Sequence, residues 1–338
     1  MIYLFNFALI LFSSVAYSGE YDDLGFDVES FEKKTIEFKG YARIDYTFLD
    51  TSVRDKQTSL NEFNLQTDID KYVFDIHNDL SIYYKTDSIT KESSSHFVLN
   101  SLTQTFGEER FSLEVGKKVE RWGKGYSYNS LAFFERQKDP IFPELAREGF
   151  WMGEAQMTKS LAGSAIKNYT LTVLGAPRTK DNDYLFSEGA QSNYGAKIYL
   201  LIWDIDFDLI VAKDSYGTDL SLNLVEGLEV HGEYGKLPNS ESYLLGFRYQ
   251  SIIDTTIVGE YVDTHQDGRF HYLKVTQKEP FNWVYSNVYL LYTKNTDDDS
   301  YRSFLGVNYD FKNGLVLDGS LLKNTQGKGI KALVQYFF

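Results

Sequence analysis

The sequence predicts an all-β fold, a transmembrane antiparallel up-and-down β-barrel of about 18 strands, with about 16 as the alternative. Three observations lead to this prediction. Segments in which apolar and polar residues alternate recur along most of the chain. Short turns alternate with longer polar connections between those segments. No apolar run after the first 16 residues is long enough to form a membrane-spanning helix.

The strands are predicted from a period of two, because the side chains of a β-strand point alternately to its two faces. In residues 36–49, Phe38 and Ile44 lie on one face, whereas Arg43 lies on the other. Such segments begin near residues 36, 60, 72, 96, 111, 149, 167, 192, 206, 218, 229, 242, 254, 269, 282, 301, 314 and 330. The barrel is therefore predicted to comprise residues 36–338.

The connections between these segments fall into two classes. The short ones are Asp70-Lys71, Gly107-Glu108-Glu109, Trp203-Asp204 and Lys312-Asn313-Gly314. The longer, polar ones span residues 50–58, 86–95, 120–148, 178–191, 263–268 and 295–300. Short periplasmic turns and long extracellular loops are typical of a transmembrane barrel, and an even strand count places both chain ends on the periplasmic side.

Lipid offers no hydrogen-bond partners, so every backbone N–H and C=O group of a membrane-spanning sheet must be paired within the sheet. The sheet is therefore expected to close into a barrel. Aromatic residues make up 16% of the chain, a composition that excludes a disordered protein. A soluble periplasmic β-sandwich also alternates and is the alternative. The aromatic girdles at the membrane surfaces are predicted to include Tyr84, Trp122, Trp151, Tyr169, Trp203, Trp283, Tyr301 and Tyr336.

The first 18 residues have the features of a secretory signal peptide. The apolar run from Ile2 to Val15 has the length of a signal core, and small residues at Ala16 and Ser18 predict cleavage after Ser18. No Lys or Arg precedes the run, so a short membrane anchor is the alternative. Residues 19–35 are acidic and without pattern, and are predicted to form a periplasmic tail or to pack at the barrel mouth.

Charge and cysteine content exclude several kinds of partner and site. The net charge of -14 argues against nucleic acid, because phosphate contacts require clustered Lys and Arg. The chain has no Cys, which excludes disulfides, thiolate metal sites and covalently attached c-type haem. We therefore predict no cofactor, no metal site and no catalytic residue.

The last nine residues form an amphipathic strand that ends on an aromatic residue. Ile330, Ala332, Val334, Tyr336 and Phe338 lie on one face. This segment resembles the C-terminal signal of bacterial outer-membrane β-barrels of the porin-like type. The resemblance implies the outer membrane of a Gram-negative bacterium, contact with its lipid and lipopolysaccharide, and recognition of Tyr336 and Phe338 by the barrel-assembly machinery. A homo-oligomer and a periplasmic partner protein both stay open.

The connection at residues 121–148 is the longest one, and it lies between the fifth and sixth predicted strands. In position and length it resembles the third extracellular loop of general porins, which folds into the lumen and narrows it. Gly123 and Gly125 permit an inward turn, and Pro140 and Pro143 stiffen the chain. Its W-G-x-G start loosely resembles that of alginate-export-type barrels. A self-packed surface lid is the alternative.

The candidate pore-lining residues are charged. On the wall they lie opposite the apolar face of a strand, and in the loop they begin at Lys124, between the two glycines. The predicted constriction and solute-binding residues are Lys124, Arg136, Lys138, Arg147, Glu135, Asp139 and Glu144 in the loop, with Arg43, Arg248 and Arg302 on the wall. For each of them the alternative is a solvated side chain on a wet wall.

These observations predict a porin-like outer-membrane channel for passive diffusion of small polar or charged solutes. The basic loop residues Lys124, Arg136, Lys138 and Arg147 favour an anionic or zwitterionic solute, because salt screens the acidic surface beyond about 8–10 Å. The first alternative is a barrel that acts as a sheath or scaffold for an electron-transfer or export component. The second is an outer-membrane hydrolase that uses His231 or His271.

Overall fold

A computed structural model of the chain describes residues 36–52, 55–71, 74–108, 110–141, 147–177, 194–264 and 268–338. The predicted signal peptide and periplasmic tail, residues 1–35, lie outside the described residues, as does Glu144. No helix in the described ranges is long and apolar enough to cross a membrane.

Eighteen strands and one short 3-10 helix make up the described chain. The strands are β1 (Ile36–Thr51), β2 (Lys56–Lys71), β3 (Phe74–Asp87), β4 (Glu92–Glu108), β5 (Phe111–Lys118), β6 (Phe150–Ser160), β7 (Ile166–Gly175), β8 (Tyr194–Ile202), β9 (Ile205–Ala212), β10 (Ser215–Val225), β11 (Leu228–Leu237), β12 (Ser240–Gln250), β13 (Thr255–Thr264), β14 (Gly268–Lys278), β15 (Ser286–Asn295), β16 (Tyr301–Asp310), β17 (Leu315–Asn324) and β18 (Gly327–Phe337). The 3-10 turn is Pro280–Asn282, between β14 and β15.

Each strand pairs with its neighbours in the chain in antiparallel fashion, and β1 also pairs with β18, so the sheet closes into a barrel. The register of this closing pair places Ile44 opposite Val334 and Tyr46 opposite Ala332. The predicted all-β barrel of 18 strands is confirmed, and the 16-strand alternative is wrong. Each predicted strand begins near an observed one, because alternation marks a strand wherever one face is apolar and the other polar.

The two faces of the barrel wall differ in how they are covered. Leu245 is 67% exposed, and it pairs with the exposed Tyr261 across the β12–β13 ladder. The preceding residue, Leu244, is only 1% exposed and pairs with the buried Val262. Because consecutive side chains point to opposite faces, the outer face is apolar and bare, whereas the inner face is covered here.

The predicted contrast in loop length holds only in part. We call the end of the barrel that holds Lys118 and Phe150 the loop end, and the other end, where β1 begins and β18 finishes, the terminal end. The connections after β9, β11 and β17 lie at the loop end, yet each has only two residues, since two residues are enough to join antiparallel neighbours. The terminal end includes a seven-residue connection at 279–285. The contrast therefore rests on the connections 119–149 and 176–193.

The seam between β1 and β18 is completed by the terminal residue. Gly40 N–H donates to the carbonyl of Phe338 at 3.0 Å, and Phe338 N–H donates back to Gly40 at 3.1 Å. The Phe338 ring stacks on Phe63, with centroids 5.7 Å apart. A Cβ atom at position 40 would lie 2.7 Å from the Phe338 ring and 2.4 Å from the Asn64 carbonyl oxygen. Glycine is therefore required where the terminal ring crosses β1.

We expect Gly40→Val to destabilise the barrel by about 1–3 kcal/mol, because the added atoms displace the Phe338 ring or the β2 backbone. The measurement is the melting temperature of the folded, heat-modifiable form on gels. Gly319→Val is the matched control, since a Cβ there meets nothing within 4 Å. Equal melting temperatures for the two variants would show that the seam does not depend on Gly40.

Candidate functional site

Residues 119–149, which connect β5 to β6, form a segment that we call the inner loop. Its contacts lie on the inner face of the barrel. The Tyr126 hydroxyl donates to Glu229 at 3.1 Å, and Glu229 is the second residue of β11, close to the terminal end. The inner loop begins at the loop end, so it reaches deep into the lumen along this wall.

The first set of contacts uses a carboxylate that accepts backbone hydrogen bonds. Glu233 lies opposite Leu244 in the β11–β12 ladder and shares its inner face. One carboxylate oxygen accepts the N–H groups of Lys124 and Gly125, both at 2.5 Å, and the other accepts that of Ser130 at 2.8 Å. This clamp requires close backbone approach, since a Cβ on Gly123, at φ 104°, would lie 2.6 Å from the Glu233 oxygen.

A second carboxylate holds the adjacent residues of the inner loop. Glu260 of β13 accepts the N–H of Tyr126 at 2.6 Å and the N–H of Ser127 at 2.8 Å, and it also accepts the Ser127 hydroxyl. His231 Nε2 lies 3.0 Å from the same carboxylate. Glu233 and Glu260 together bind five backbone N–H groups, and we call them the carboxylate clamp.

On another part of the wall the inner loop is held by a cation. Arg147 contacts Glu62 of β2 at 2.5 Å and Ser81 of β3 at 3.0 Å, and it donates to the Tyr41 hydroxyl of β1. Glu62 also pairs with Arg43 at 2.8 Å. We call this group the Arg147 clamp. Its strands are β1 to β3 and those of the carboxylate clamp are β11 and β13, so the inner loop crosses the lumen from wall to wall.

An apolar cluster packs the base of the inner loop against the wall. Trp122 is 1% exposed, and its ring centroid lies 4.8 Å from Phe134 and 6.5 Å from Phe133. The wall contributes Phe150, Met152, Leu174 and Ile210 to this cluster. The prediction that Trp122 belongs to an outer aromatic girdle is wrong. The chain turns into the lumen after β5, and the Trp122 side chain is therefore buried inside the barrel.

The four predicted basic residues of the inner loop have carboxylate or carbonyl partners. Lys124 Nζ lies 3.5 Å from Asp208 and 3.8 Å from Asp219, and Arg136 pairs with Glu148 at 2.9 Å. Lys138 donates to the carbonyl of Gly125 at 2.8 Å. Together with the Arg147 clamp, these contacts mean that the four predicted cations do not form an unopposed basic ring.

The candidate residues differ in their access to the lumen. Glu135 and Arg136 are 1% and 2% exposed, so their side chains are packed rather than wet. Arg43 is buried in the Arg147 clamp. Arg248 lies on the inner face, opposite Glu229 and Val258, and is exposed. Asp139 and Arg302, 3.5 Å apart, are also exposed. The constriction assignment itself stays a prediction.

The carboxylates Glu62, Glu233 and Glu260, which fix the inner loop, were not among the predicted residues. In the sequence they are acidic residues on the polar face of a strand. A solvated lumen residue has the same pattern, so the sequence does not distinguish the two. His231, considered above for a hydrolase, is buried against Glu260 on the inner face, whereas His271 pairs with the outward-facing Tyr261. No group of three or more His, Cys, Asp or Glu residues in the described part of the chain is arranged to hold a metal ion.

Glu135 gives the inner loop a predicted pH dependence. Burial raises its pKa to about 7, although nearby Lys138 opposes the shift. Because this pKa exceeds the ordinary value of 4.5, the proton favours the packed loop: the stabilisation is complete below pH 4.5 and is lost as the pH rises through 7. We expect the free energy of opening to fall by up to about 3 kcal/mol across this window, at roughly 1.4 kcal/mol per pKa unit.

The measurement is amide hydrogen exchange of the inner loop at pH 5 and pH 8, corrected for intrinsic exchange rates. Glu135→Gln should remove most of the pH dependence, and Glu241→Gln, at a half-buried position outside the lumen, is the control. If Glu135→Gln keeps the wild-type pH dependence, another group is responsible.

Comparisons with known proteins agree with the closed barrel. No protein-family model matches the chain, and no curated protein matches it. Among solved structures, Pseudomonas aeruginosa OccK2 (OpdF) in complex with glucuronate is 11% identical over 90% of this chain and 96% of that chain, with a TM-score of 0.59. The low-pH structure of Pseudomonas putida OprB is 9% identical over 90% and 93%, with a TM-score of 0.55.

A triple mutant of Rhodopseudomonas blastica porin is 11% identical over 90% of this chain and all of that chain, with a TM-score of 0.52. The chain has the fold of the outer-membrane porins. At these identities the likeness is one of fold.

Proposed function

We propose that this chain is an outer-membrane channel for passive diffusion of small polar or charged solutes, with the inner loop as its constriction. The observation that carries the proposal is the inner loop itself, which is fixed to two separate parts of the inner wall by buried ion pairs and hydrogen bonds. A barrel of 18 strands is wide enough to leave an aqueous channel unless such a segment narrows it.

The outer face of the barrel supports a membrane location. Large apolar side chains such as Ile44, Leu245, Leu305, Leu321 and Val334 are exposed there. A soluble protein rarely leaves so much apolar surface in water, whereas a membrane barrel turns it to lipid. We place the loop end outside the cell, with the chain ends in the periplasm, the signal peptide removed, and Tyr336 and Phe338 read by the assembly machinery.

The solute class follows from the side chains that stay accessible in the lumen. Arg248, Lys274 and Arg302 are exposed on the inner face, and Asp139 and Tyr126 are exposed on the inner loop. Both signs of charge therefore line the path, which suits polar solutes and orients them. OccK2, which shares the fold, was crystallised with glucuronate, a small charged solute.

Planar-bilayer recording of the refolded protein tests the channel. We expect stable conductance steps, and deletion of residues 126–146 should raise the conductance several-fold because the lumen is then unobstructed. A barrel that inserts but shows no steps with or without the loop would favour a sheath for a partner protein. Steps of equal size and ion selectivity in both forms would refute the constriction.

A further inference from the structure

A cavity of about 330 Å³ lies between the inner loop and the wall near the loop end. Tyr128, Lys138 and Asp139 line it from the loop, and Tyr272, Thr293 and Arg302 line it from β14, β15 and β16. The wall residues are on the inner face, since Thr293 pairs with both Tyr272 and Arg302 in the ladders. The cavity therefore opens on the proposed solute path.

Two opposite charges face this cavity and hold each other only loosely. Arg302 Nη1 lies 3.5 Å from Asp139 Oδ2, and the two side chains are 44% and 45% exposed. A second exposed pair at the same end of the barrel is much tighter: Arg269 contacts Asp297 at 2.6 and 2.9 Å. A pair at 3.5 Å in water contributes little stability, so both charges can take new partners at small cost.

The other lining groups give the cavity a partly apolar floor. Val262 and Tyr272 are buried on the wall side, and Tyr128 covers the loop side. Lys138 points its ammonium at the carbonyl of Gly125, 2.8 Å away. The cavity thus combines the charges of Arg302 and Asp139 with aromatic surface, and the ammonium of Lys138 is held by a carbonyl at its edge.

We propose that this cavity binds a small zwitterionic solute with an aromatic or bulky apolar group, such as an α-amino acid, before it passes the constriction. The solute carboxylate pairs with Arg302, its ammonium pairs with Asp139, and its apolar group lies on the tyrosine side of the cavity. The inference rests on the proposed channel function, because the cavity matters as a step on the solute path.

The charge arrangement provides selectivity as well as attraction. A simple anion that pairs with Arg302 is repelled by Asp139, and a simple cation that pairs with Asp139 is repelled by Arg302. A neutral sugar gains neither ion pair. A solute that carries both charges close together replaces the weak Arg302–Asp139 pair with two ion pairs of its own. The site therefore selects its solute by repulsion of single charges as well as by direct contact.

The test is a titration of the folded full-length protein in detergent with four probes: phenylalanine, N-acetylphenylalanine, phenylalanine amide and glucose. We expect phenylalanine to bind about tenfold or more tightly than each of the others, the effect of losing one charge-assisted contact. Arg302→Gln and Asp139→Asn should each reduce phenylalanine affinity by a similar factor.

Arg269→Gln is the matched control, because it breaks an exposed Arg–Asp pair at the same end of the barrel but outside the lumen. Its affinity for phenylalanine should be that of the wild type. Equal binding of N-acetylphenylalanine would make the cavity an anion site, and equal binding of glucose would make it a neutral site; either result overturns the proposal.

Planar-bilayer recording on the same preparation separates this inference from the proposed function. If the protein conducts but phenylalanine does not bind, the zwitterion site is wrong and the channel stands. If the protein does not conduct, the channel itself fails.

Discussion

Glu233→Ala is expected to release Lys124, Gly125 and Ser130 from the wall, and to raise both the current noise and the mean conductance of the channel. The substitution removes the acceptor of three backbone N–H groups at 2.5 to 2.8 Å. Hydrogen bonds to a charged group contribute about 1.5–3 kcal/mol each, and the three donors lie where the wall and the loop exclude most of the water. The loop segment would then sample positions away from β11.

Glutamine substitutions make the prediction sharper, because the two carboxylates have different partners. Both oxygens of Glu233 face backbone N–H groups, so a glutamine NH₂ group meets a donor in either orientation. Each oxygen of Glu260 also accepts a backbone N–H, but His231 Nε2 lies beside one oxygen and the Ser127 hydroxyl beside the other, and both of these can accept a hydrogen bond from a glutamine NH₂ group. We therefore expect Glu233→Gln to raise the noise more than Glu260→Gln does.

The measurement is single-channel recording, with the variance of the open current as the readout. Glu241→Gln is the control, because Glu241 pairs with Lys236 outside the lumen and does not touch the inner loop. Unchanged current noise in Glu233→Ala would show that the carboxylate clamp does not hold the constriction in place.

The sequence was sufficient to predict the barrel because alternation is a local property. Residues 301–310, for example, show Phe304 buried inside and Leu305 exposed outside, as the alternating pattern implies. The inner loop could be anticipated only from its length, glycines and position. Its inward course depends on contacts between Lys124 and Glu233, or between Arg147 and Glu62, which are more than eighty residues apart and leave no local pattern.

Charge composition was the least informative part of the sequence. Four of the basic residues of the inner loop, Lys124, Arg136, Lys138 and Arg147, favoured an anionic or zwitterionic solute. In the structure, Lys124 and Arg147 face wall carboxylates, and Arg136 faces Glu148 within the loop itself. A charge that is paired at short range contributes little to the field felt by a solute, so we expect selectivity to depend on the exposed residues Arg302 and Asp139 instead.

The largest effect on stability is expected at Glu62, which is fully buried between two arginines. Glu62→Gln leaves Arg43, 2.8 Å away, and Arg147, 2.5 Å away, facing each other without the carboxylate. Arginine cannot lose its proton in a protein, so neither charge can be neutralised. Removal of one partner from a buried ion pair costs about 3–5 kcal/mol, and we expect a loss of that size in the free energy of unfolding.

The double variant distinguishes this cause from a general loss of packing. Arg147→Gln alone should cost less, because Glu62 keeps Arg43 as its partner. Adding Arg147→Gln to Glu62→Gln should restore part of the stability, since one unpaired cation is removed. Urea unfolding of the four proteins, followed by gel mobility, gives the coupling energy. If the two losses simply add, the arginines do not repel each other, and Glu62 stabilises the wall by packing rather than by charge.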